Sequence, residues 1–190
     1  MKIGLDSFFE YGNHKHSLLG NLKNIFTAFT IILIWTMAVM IFLSVVVKMN
    51  ISEVRSLLTA QMDIYARIPK GMVMNAYMSF FLVCVLAPLW EEAVFRFGPF
   101  GVARALEIAA TQKTSGYLPR TMCLFPMMVL SSIIFGLIHG GVINIMFQGV
   151  GGFFMAWVMI KSGYWSAVLT HSLWNFMLMF GMPIVLKGLS

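Results

Sequence analysis

Charged side chains are scarce in this sequence. Only 7 Asp and Glu residues and 13 Lys and Arg residues occur among 190 positions, so charged residues make up 11% of the chain. Soluble domains carry roughly 25%. A soluble globule of this size would have too few polar side chains to cover its surface. The shortage of charge excludes a soluble enzyme, and the apolar content of 59% excludes a disordered chain.

Cysteine is also scarce, and strand-like alternation of apolar and polar residues is missing. The chain has two cysteines, Cys84 and Cys123, and both lie inside apolar blocks, which is typical of small buried side chains and excludes a secreted disulfide scaffold. Membrane β-barrels need segments of about ten residues that alternate between apolar and polar. This sequence has long uncharged blocks instead. They predict an all-α, polytopic transmembrane helical bundle.

The net charge of +6 does not point to nucleic acid. The basic residues lie in the gaps between the apolar blocks, where loops meet a membrane surface. We therefore expect a lipid bilayer, and no nucleic acid, among the partners.

The uncharged blocks predict about five spans. Residues 121–160 contain no Asp, Glu, Lys or Arg over forty positions, which is enough for two spans joined by a tight turn near Gly140 and Gly141. The other predicted spans are Ile25–Val47, Met72–Trp90 and Tyr164–Leu186. The chain then divides into an amphipathic interfacial segment (1–24), a first span with a polar loop (25–71) and a helical core (72–190).

The end of the second span is expected to be irregular. Gly98 and Pro99 should break or kink the helix, and the amphipathic stretch Gly101–Arg120 should lie at the interface or partly re-enter the membrane. A difficulty follows from this arrangement. Glu91 would lie near one membrane face and His139 near the other, because consecutive spans are antiparallel. A helix that continues, kinked, past Gly98 and Pro99 towards Ala110 would remove the difficulty, since Glu91 would then lie near its middle.

Ionisable side chains inside apolar blocks are costly in a bilayer and mark candidate functional sites. Four such residues and two polar companions stand out: Glu91, Glu92, His139 and His171, with Arg96 and Asn175.

Helix geometry distinguishes the two adjacent glutamates. Glu92 and Arg96 are four residues apart and nearly eclipsed on a helix, so they can form an ion pair. Glu91 lies roughly 140° away from Arg96 in projection and cannot readily share this partner. Glu91 is therefore the better candidate for a catalytic base. The alternative is a simple charge cluster that caps the second span.

The two histidines occur in similar patterns, Phe135-x-x-x-His139 and His171-x-x-x-Asn175. Taken separately, each has a structural explanation, as an interfacial histidine or as interhelical hydrogen bonding. Taken together, they form a usable chemical set. A carboxylate beside an imidazole can activate water, and a second imidazole with a carboxamide can stabilise an oxyanion. This set would hydrolyse a peptide bond without a serine or cysteine nucleophile.

The motifs Glu91-Glu92-x-x-x-Arg96, Phe135-x-x-x-His139 and His171-x-x-x-Asn175 resemble, in order, the three motifs of the CAAX-protease and bacteriocin-processing family, also called Abi. This family includes the type II CAAX prenyl endopeptidases. Ser162 and Gly163 also resemble the small polar turn before its last motif. The resemblance covers roughly residues 80–180.

The resemblance implies an intramembrane endopeptidase that acts on a membrane-associated peptide or protein, with 72–190 as its catalytic core. It implies catalytic roles for four residues, with Glu91 as base, His139 as its assistant, and an oxyanion site: Glu91, His139, His171 and Asn175. It also implies supporting roles for three residues: Glu92, Arg96 and Phe135.

Three expectations remain open beside this one. No cofactor is favoured, but a zinc site formed by Glu91, His139 and His171 is chemically possible, although the sequence has no H-E-x-x-H motif. A catalytically silent immunity or scaffold protein that binds a peptide or membrane partner is the alternative function. By analogy with the family, the expected location is a bacterial cytoplasmic membrane, as an integral multi-pass protein.

Overall fold

The computed structural model describes residues 17–50, 53, 76–114 and 121–181. Within these ranges the chain forms helices and no strand, which confirms the all-α membrane bundle. With consecutive α and π segments taken together, five helices are described. They are α1 (Leu18–Val45), α2 (from Ala76–Phe81 through Gly98–Thr114), α3 (Thr121–Ile138), α4 (from Val142–Asn144 through Val150–Ser162) and α5 (Tyr164–Phe176, extended by Met177–Gly181).

Helix α2 does not break at Gly98 and Pro99, so the expected break is wrong, and the stretch from Gly101 to Thr114 belongs to the same helix. Proline lacks an N–H and crowds the carbonyl four residues earlier. Two π turns, Leu82–Leu86 and Ala93–Phe97, precede Pro88 and Pro99. The wider turns accommodate both prolines and keep the helix continuous. Glu91 consequently lies in the helix interior, as the continued-helix hypothesis requires.

Two glycine turns connect the last three helices where the sequence predicts them. Gly140 and Gly141 join α3 to α4 with φ angles of 136° and 89°, and Gly163 joins α4 to α5 with φ of 87°. These left-handed conformations are open to glycine because it has no Cβ. The predicted loops are therefore short, and α3, α4 and α5 are consecutive antiparallel neighbours.

Helix α1 begins at Leu18, inside the segment predicted as interfacial, and Ser17 accepts a capping hydrogen bond from the backbone N–H of Gly20. Residues 1–16 and most of the predicted polar loop lie outside the described residues.

Helix α4 lies at the centre of the bundle. Its Phe147 and Met155 pack with residues of α1 and α5, and its Ala156 and Met159 pack with residues of α2, α3 and α5. Glycines bring α3 and α4 close together. A Cβ at Gly136 would lie 2.6 Å from Cα of Ile145, and a Cβ at Gly149 would lie 3.0 Å from the Ser132 carbonyl oxygen.

Large apolar side chains cover the outer faces of the bundle. Trp90 is 71% exposed and Ile34 is 64% exposed, and such a surface suits lipid rather than water. Three helices are long and apolar enough to cross a membrane, namely Leu18–Val45, Tyr77–Glu107 and Val142–Ser162, and Leu124–Ile138 is a shorter apolar helix. The molecule is therefore a membrane protein, and the count of five spans stays a prediction.

Candidate active site

A buried carboxylate forms the centre of the polar interior. Glu91 projects from the middle of α2 and is 5% exposed. Its Oε1 lies 3.6 Å from Nε2 of His139, at the end of α3, and its Oε2 lies 3.5 Å from Nε2 of His171, in the middle of α5. The structure thus brings together three predicted site residues from three helices, at the two sides of one carboxylate.

The backbone fixes the ring of His139. Its Nδ1 lies 2.6 Å from the carbonyl oxygen of Phe135, one turn earlier on α3. A carbonyl can only accept a hydrogen bond, so Nδ1 is the donor and Nε2 faces Glu91. Asn144 donates from Nδ2 to the His139 carbonyl oxygen at 2.8 Å and so secures the turn that follows.

A charged network fixes the ring of His171. Its Nδ1 lies 2.8 Å from Oε1 of Glu92, and the same Oε1 lies 3.3 Å from Nη1 of Arg96. The predicted Glu92–Arg96 pair is present and fully buried. The sequence did not indicate that Glu92 also contacts His171, 79 residues away. Beside a guanidinium the carboxylate acts as the acceptor, so Nδ1 of His171 is the donor and Nε2 faces Glu91.

Phe135 packs against both histidine rings and against Arg96. Its ring centroid lies 4.2 Å from that of His139 and 5.9 Å from that of His171. The guanidinium carbon of Arg96 lies 4.1 Å from the same centroid, within the range of a cation–π contact. The predicted supporting residue therefore touches both imidazoles and the buried cation.

Asn175 lies one turn after His171 and is buried, as expected, but it also has a backbone partner. Its Nδ2 donates to the carbonyl oxygen of Val83 at 2.9 Å. Within the π turn each N–H bonds to the carbonyl five residues earlier, as Ala87 does to Leu82. Pro88 has no N–H to give to Val83. Asn175 satisfies this carbonyl and ties α5 to α2.

Three contributors were not identified as site residues from the sequence. Tyr164 donates from its hydroxyl to the Leu89 carbonyl at 2.6 Å, two residues before Glu91. Asn144 donates to the His139 carbonyl. Gly152 lies against Arg96. The partners of Tyr164 and Gly152 are distant in sequence, whereas His139 lies only five residues before Asn144, across the glycine turn.

The arrangement suits hydrolysis. A carboxylate flanked by two imidazoles can bind a water molecule and accept its proton. Within the described part of the chain, no group of three His, Cys, Asp or Glu side chains is arranged to hold a metal ion.

Comparison with known proteins agrees with this geometry. A family model for type II CAAX prenyl endopeptidase Rce1-like proteins matches residues 73–177, which include all the residues of the site. Neither the curated proteins nor the solved structures give a match. The matched segment covers more than half of the 190 residues and implies peptidase activity. The chain therefore belongs to the type II CAAX prenyl endopeptidase Rce1-like family of membrane peptidases.

Proposed function

We propose that this protein is an intramembrane endopeptidase that hydrolyses a peptide bond in a membrane-associated protein or peptide. One observation carries the proposal: the Glu91 carboxylate faces the Nε2 atoms of His139 and His171, at 3.6 and 3.5 Å, inside a helical bundle. The family match supports the same class of reaction. We assign the protein to a bacterial cytoplasmic membrane, as a multi-pass protein with residues 72–190 as its catalytic core.

Glu91 is the base in this mechanism. It takes a proton from a water molecule while the water oxygen adds to the scissile carbonyl carbon, which produces a tetrahedral intermediate with an oxyanion. His139 assists through Nε2, because its Nδ1 is held by the Phe135 carbonyl. The proton then passes from Glu91 to the amide nitrogen as the C–N bond breaks, and the products are a carboxylic acid and an amine.

His171 and Asn175 form the oxyanion side. A carboxamide has two N–H donors, and Asn175 uses one on the Val83 carbonyl, which leaves the second for the oxyanion. Nε2 of His171 can donate only when the ring carries both protons. Glu92, 2.8 Å from Nδ1, holds the ring with Nε2 towards Glu91. Donors aimed at developing charge stabilise the transition state more than the substrate.

A zinc-dependent hydrolase is the second candidate. Histidines that bind zinc usually donate their other ring N–H to a carbonyl or carboxylate, and both imidazoles do so here. Glu91, His139 and His171 would hold the ion, which would polarise the substrate carbonyl and supply hydroxide at neutral pH. The sequence has no H-E-x-x-H motif, and for this reason we rank zinc second.

Cleavage by the purified protein tests the proposal. The protein, in lipid vesicles, is given membrane-anchored peptides with and without a C-terminal prenyl group, and the products are identified by mass spectrometry. Glu91→Gln keeps the shape of the side chain and removes the base, so it should abolish cleavage. Glu107→Gln is the matched control. It removes a buried carboxylate from the same helix, about 24 Å along the axis, and should leave cleavage intact.

The outcome also addresses the silent alternative. Cleavage by the wild type and by Glu107→Gln, but not by Glu91→Gln, supports the endopeptidase. Equal cleavage by all three proteins would remove Glu91 from the mechanism. If the wild type cleaves nothing and Glu91→Ala leaves the biological activity intact, the immunity or scaffold function replaces the enzyme.

A further inference from the structure

Arg96 is an unusual side chain to find in the interior of a membrane bundle. It is 0% exposed, and none of its three guanidinium nitrogens forms a hydrogen bond within the described ranges. Its contacts are the 3.3 Å ion pair with Glu92 and the Phe135 ring 4.1 Å away. A buried cation held by so few polar contacts depends strongly on the shape of the space around it.

Gly152 of α4 provides that space. A Cβ at this position would collide with Nη2 of Arg96 and would lie 3.2 Å from Cδ1 of Phe135. The guanidinium therefore lies between the Phe135 ring and the bare backbone of α4. Other glycines of α4 differ in what they face. A Cβ at Gly149 would approach the Ser132 backbone at 3.0 Å, and a Cβ at Gly151 would meet only Ile32, at 3.8 Å.

We propose that Gly152 is a positioning residue of the active site. Because Gly152 has no side chain, the Arg96 guanidinium can lie where it contacts Oε1 of Glu92. Glu92 in turn contacts Nδ1 of His171 at 2.8 Å. Gly152 thus sets the orientation of His171 through two intermediaries, without touching it. The inference rests on the proposed function, because His171 matters to catalysis only if the protein is the endopeptidase described above.

A positioning role for Gly152 differs from a helix-packing role in the kind of atom that an alanine methyl group would contact. Backbone contacts, such as that of Gly149, would force the helices apart. At Gly152 the first contact is the far end of a side chain, which can move aside. Gly152→Ala should therefore fold, displace the guanidinium and disturb the His171 ring. Gly151→Ala is the matched control, since ordinary van der Waals contact with Ile32 leaves room for a methyl group.

Two readouts test the inference. In the first, kcat and KM are measured for both variants. Gly152→Ala should lower kcat by about 10²-fold, the cost of a catalytic group misplaced by about 1 Å, with KM little changed, whereas Gly151→Ala should match the wild type. In the double variant Gly152→Ala with Arg96→Lys, the shorter cation avoids the methyl group. Its kcat should be no lower than that of Arg96→Lys alone.

The second readout does not need activity. With ¹⁵N-labelled histidine, the Nδ1–H signal of His171, assigned by its loss in His171→Gln, reports the contact with Glu92. It should shift in Gly152→Ala, stay in place in Gly151→Ala, and return towards its position when Arg96→Lys is added. If no protein cleaves any peptide but the signal follows this order, the proposed function fails and the positioning role stands.

Three results would overturn the inference. One is an unchanged kcat and an unchanged His171 signal in Gly152→Ala. Another is an equal loss in Gly151→Ala, which would make the effect one of general packing. The third concerns folding. If Gly152→Ala does not fold and Arg96→Lys does not restore folding, the methyl group disturbs the helices and not the guanidinium.

Discussion

The two imidazoles of the site face the same carboxylate, but the regions that hold them differ. At the end of α3, backbone carbonyl and carboxamide groups hold His139, through Phe135 and Asn144. In the middle of α5, a buried charge network holds His171, through Glu92 and Arg96. Neutral hydrogen bonds contribute modestly and independently. Buried charges act as a unit, because removal of one leaves its partner uncompensated. Substitutions around His171 should therefore cost more stability and activity than substitutions around His139.

The largest effect is expected from Glu92→Ala. This change leaves the guanidinium of Arg96 buried without a counter-charge and removes the acceptor for Nδ1 of His171. Breaking such a buried pair costs roughly 3–5 kcal/mol, so the variant should express poorly and unfold early, as measured by melting in detergent. Removal of both charges, in Glu92→Gln with Arg96→Met, should recover part of the stability. A melting temperature unchanged in Glu92→Ala would show that the charge network does not support the bundle.

The second-largest effect is expected from Asn175→Ala, which should lower the rate of catalysis. If the carboxamide stabilises the oxyanion, kcat falls by about 10²–10³, with little change in KM. The variant also leaves the Val83 carbonyl unsatisfied, which costs about 1–3 kcal/mol of folding stability.

Pro88→Ala separates these two effects of Asn175. The amide restored at position 88 can donate to the helix carbonyls, so Pro88→Ala, added to Asn175→Ala, should recover stability but not turnover. Recovery of both, or a defect in KM alone, would assign Asn175 to structure or to substrate binding instead.

Asn144→Ala tests the neutral region around His139 and should have a smaller effect. The lost hydrogen bond to the His139 carbonyl costs about 1–3 kcal/mol. The Phe135 carbonyl still holds Nδ1, so turnover should stay close to that of the wild type. Asn144→Leu has a similar volume, no donor and no charge, and serves as the control for volume. A loss of turnover as large as that of Asn175→Ala would mean that the two regions are equally fragile.

Chelation should have the smallest effect. If water is activated by Glu91 and His139, strong chelators leave cleavage unchanged, and elemental analysis finds no stoichiometric zinc. If activity is lost and then restored by added zinc, both imidazoles are metal ligands. Metal binding would then matter more for the positions of the two rings than the backbone contacts of His139 or the charge network around His171.

The sequence predicts much of the fold because charge and glycine patterns are local. The uncharged blocks locate α1, α3, α4 and α5, and the turns at Gly140 and Gly163 lie where glycine pairs or a polar gap indicate them. The course of α2 past Pro99 is different. A proline normally interrupts a helix, but a π turn precedes Pro99 and the helix continues. At the similar turn before Pro88, the Val83 carbonyl accepts a hydrogen bond from Asn175, 92 residues away, and such a distant partner cannot be predicted from local sequence.

The sequence predicts the members of the site better than their roles in it. Glu91, His139 and His171 stand out because ionisable groups are costly in a membrane, and the Glu92–Arg96 pair follows from helix spacing. The acceptors of the two Nδ1 atoms could not be predicted, since one is a backbone carbonyl and the other lies on a different helix. Gly152 could not be distinguished from Gly149 and Gly151, because a glycine in an apolar helix gives no indication of what it faces.

We propose that the adjacent glutamates have different tasks, with Glu91 for chemistry and Glu92 for the charge network. A comparison of Glu91→Gln with Glu92→Gln tests this, with cleavage rate and melting temperature determined on the same purified samples. We expect Glu91→Gln to melt like the wild type, or slightly higher as a buried charge disappears, and not to cleave. Glu92→Gln should melt at a lower temperature. A well-folded, inactive Glu92→Gln beside a Glu91→Gln that still cleaves would exchange the two roles.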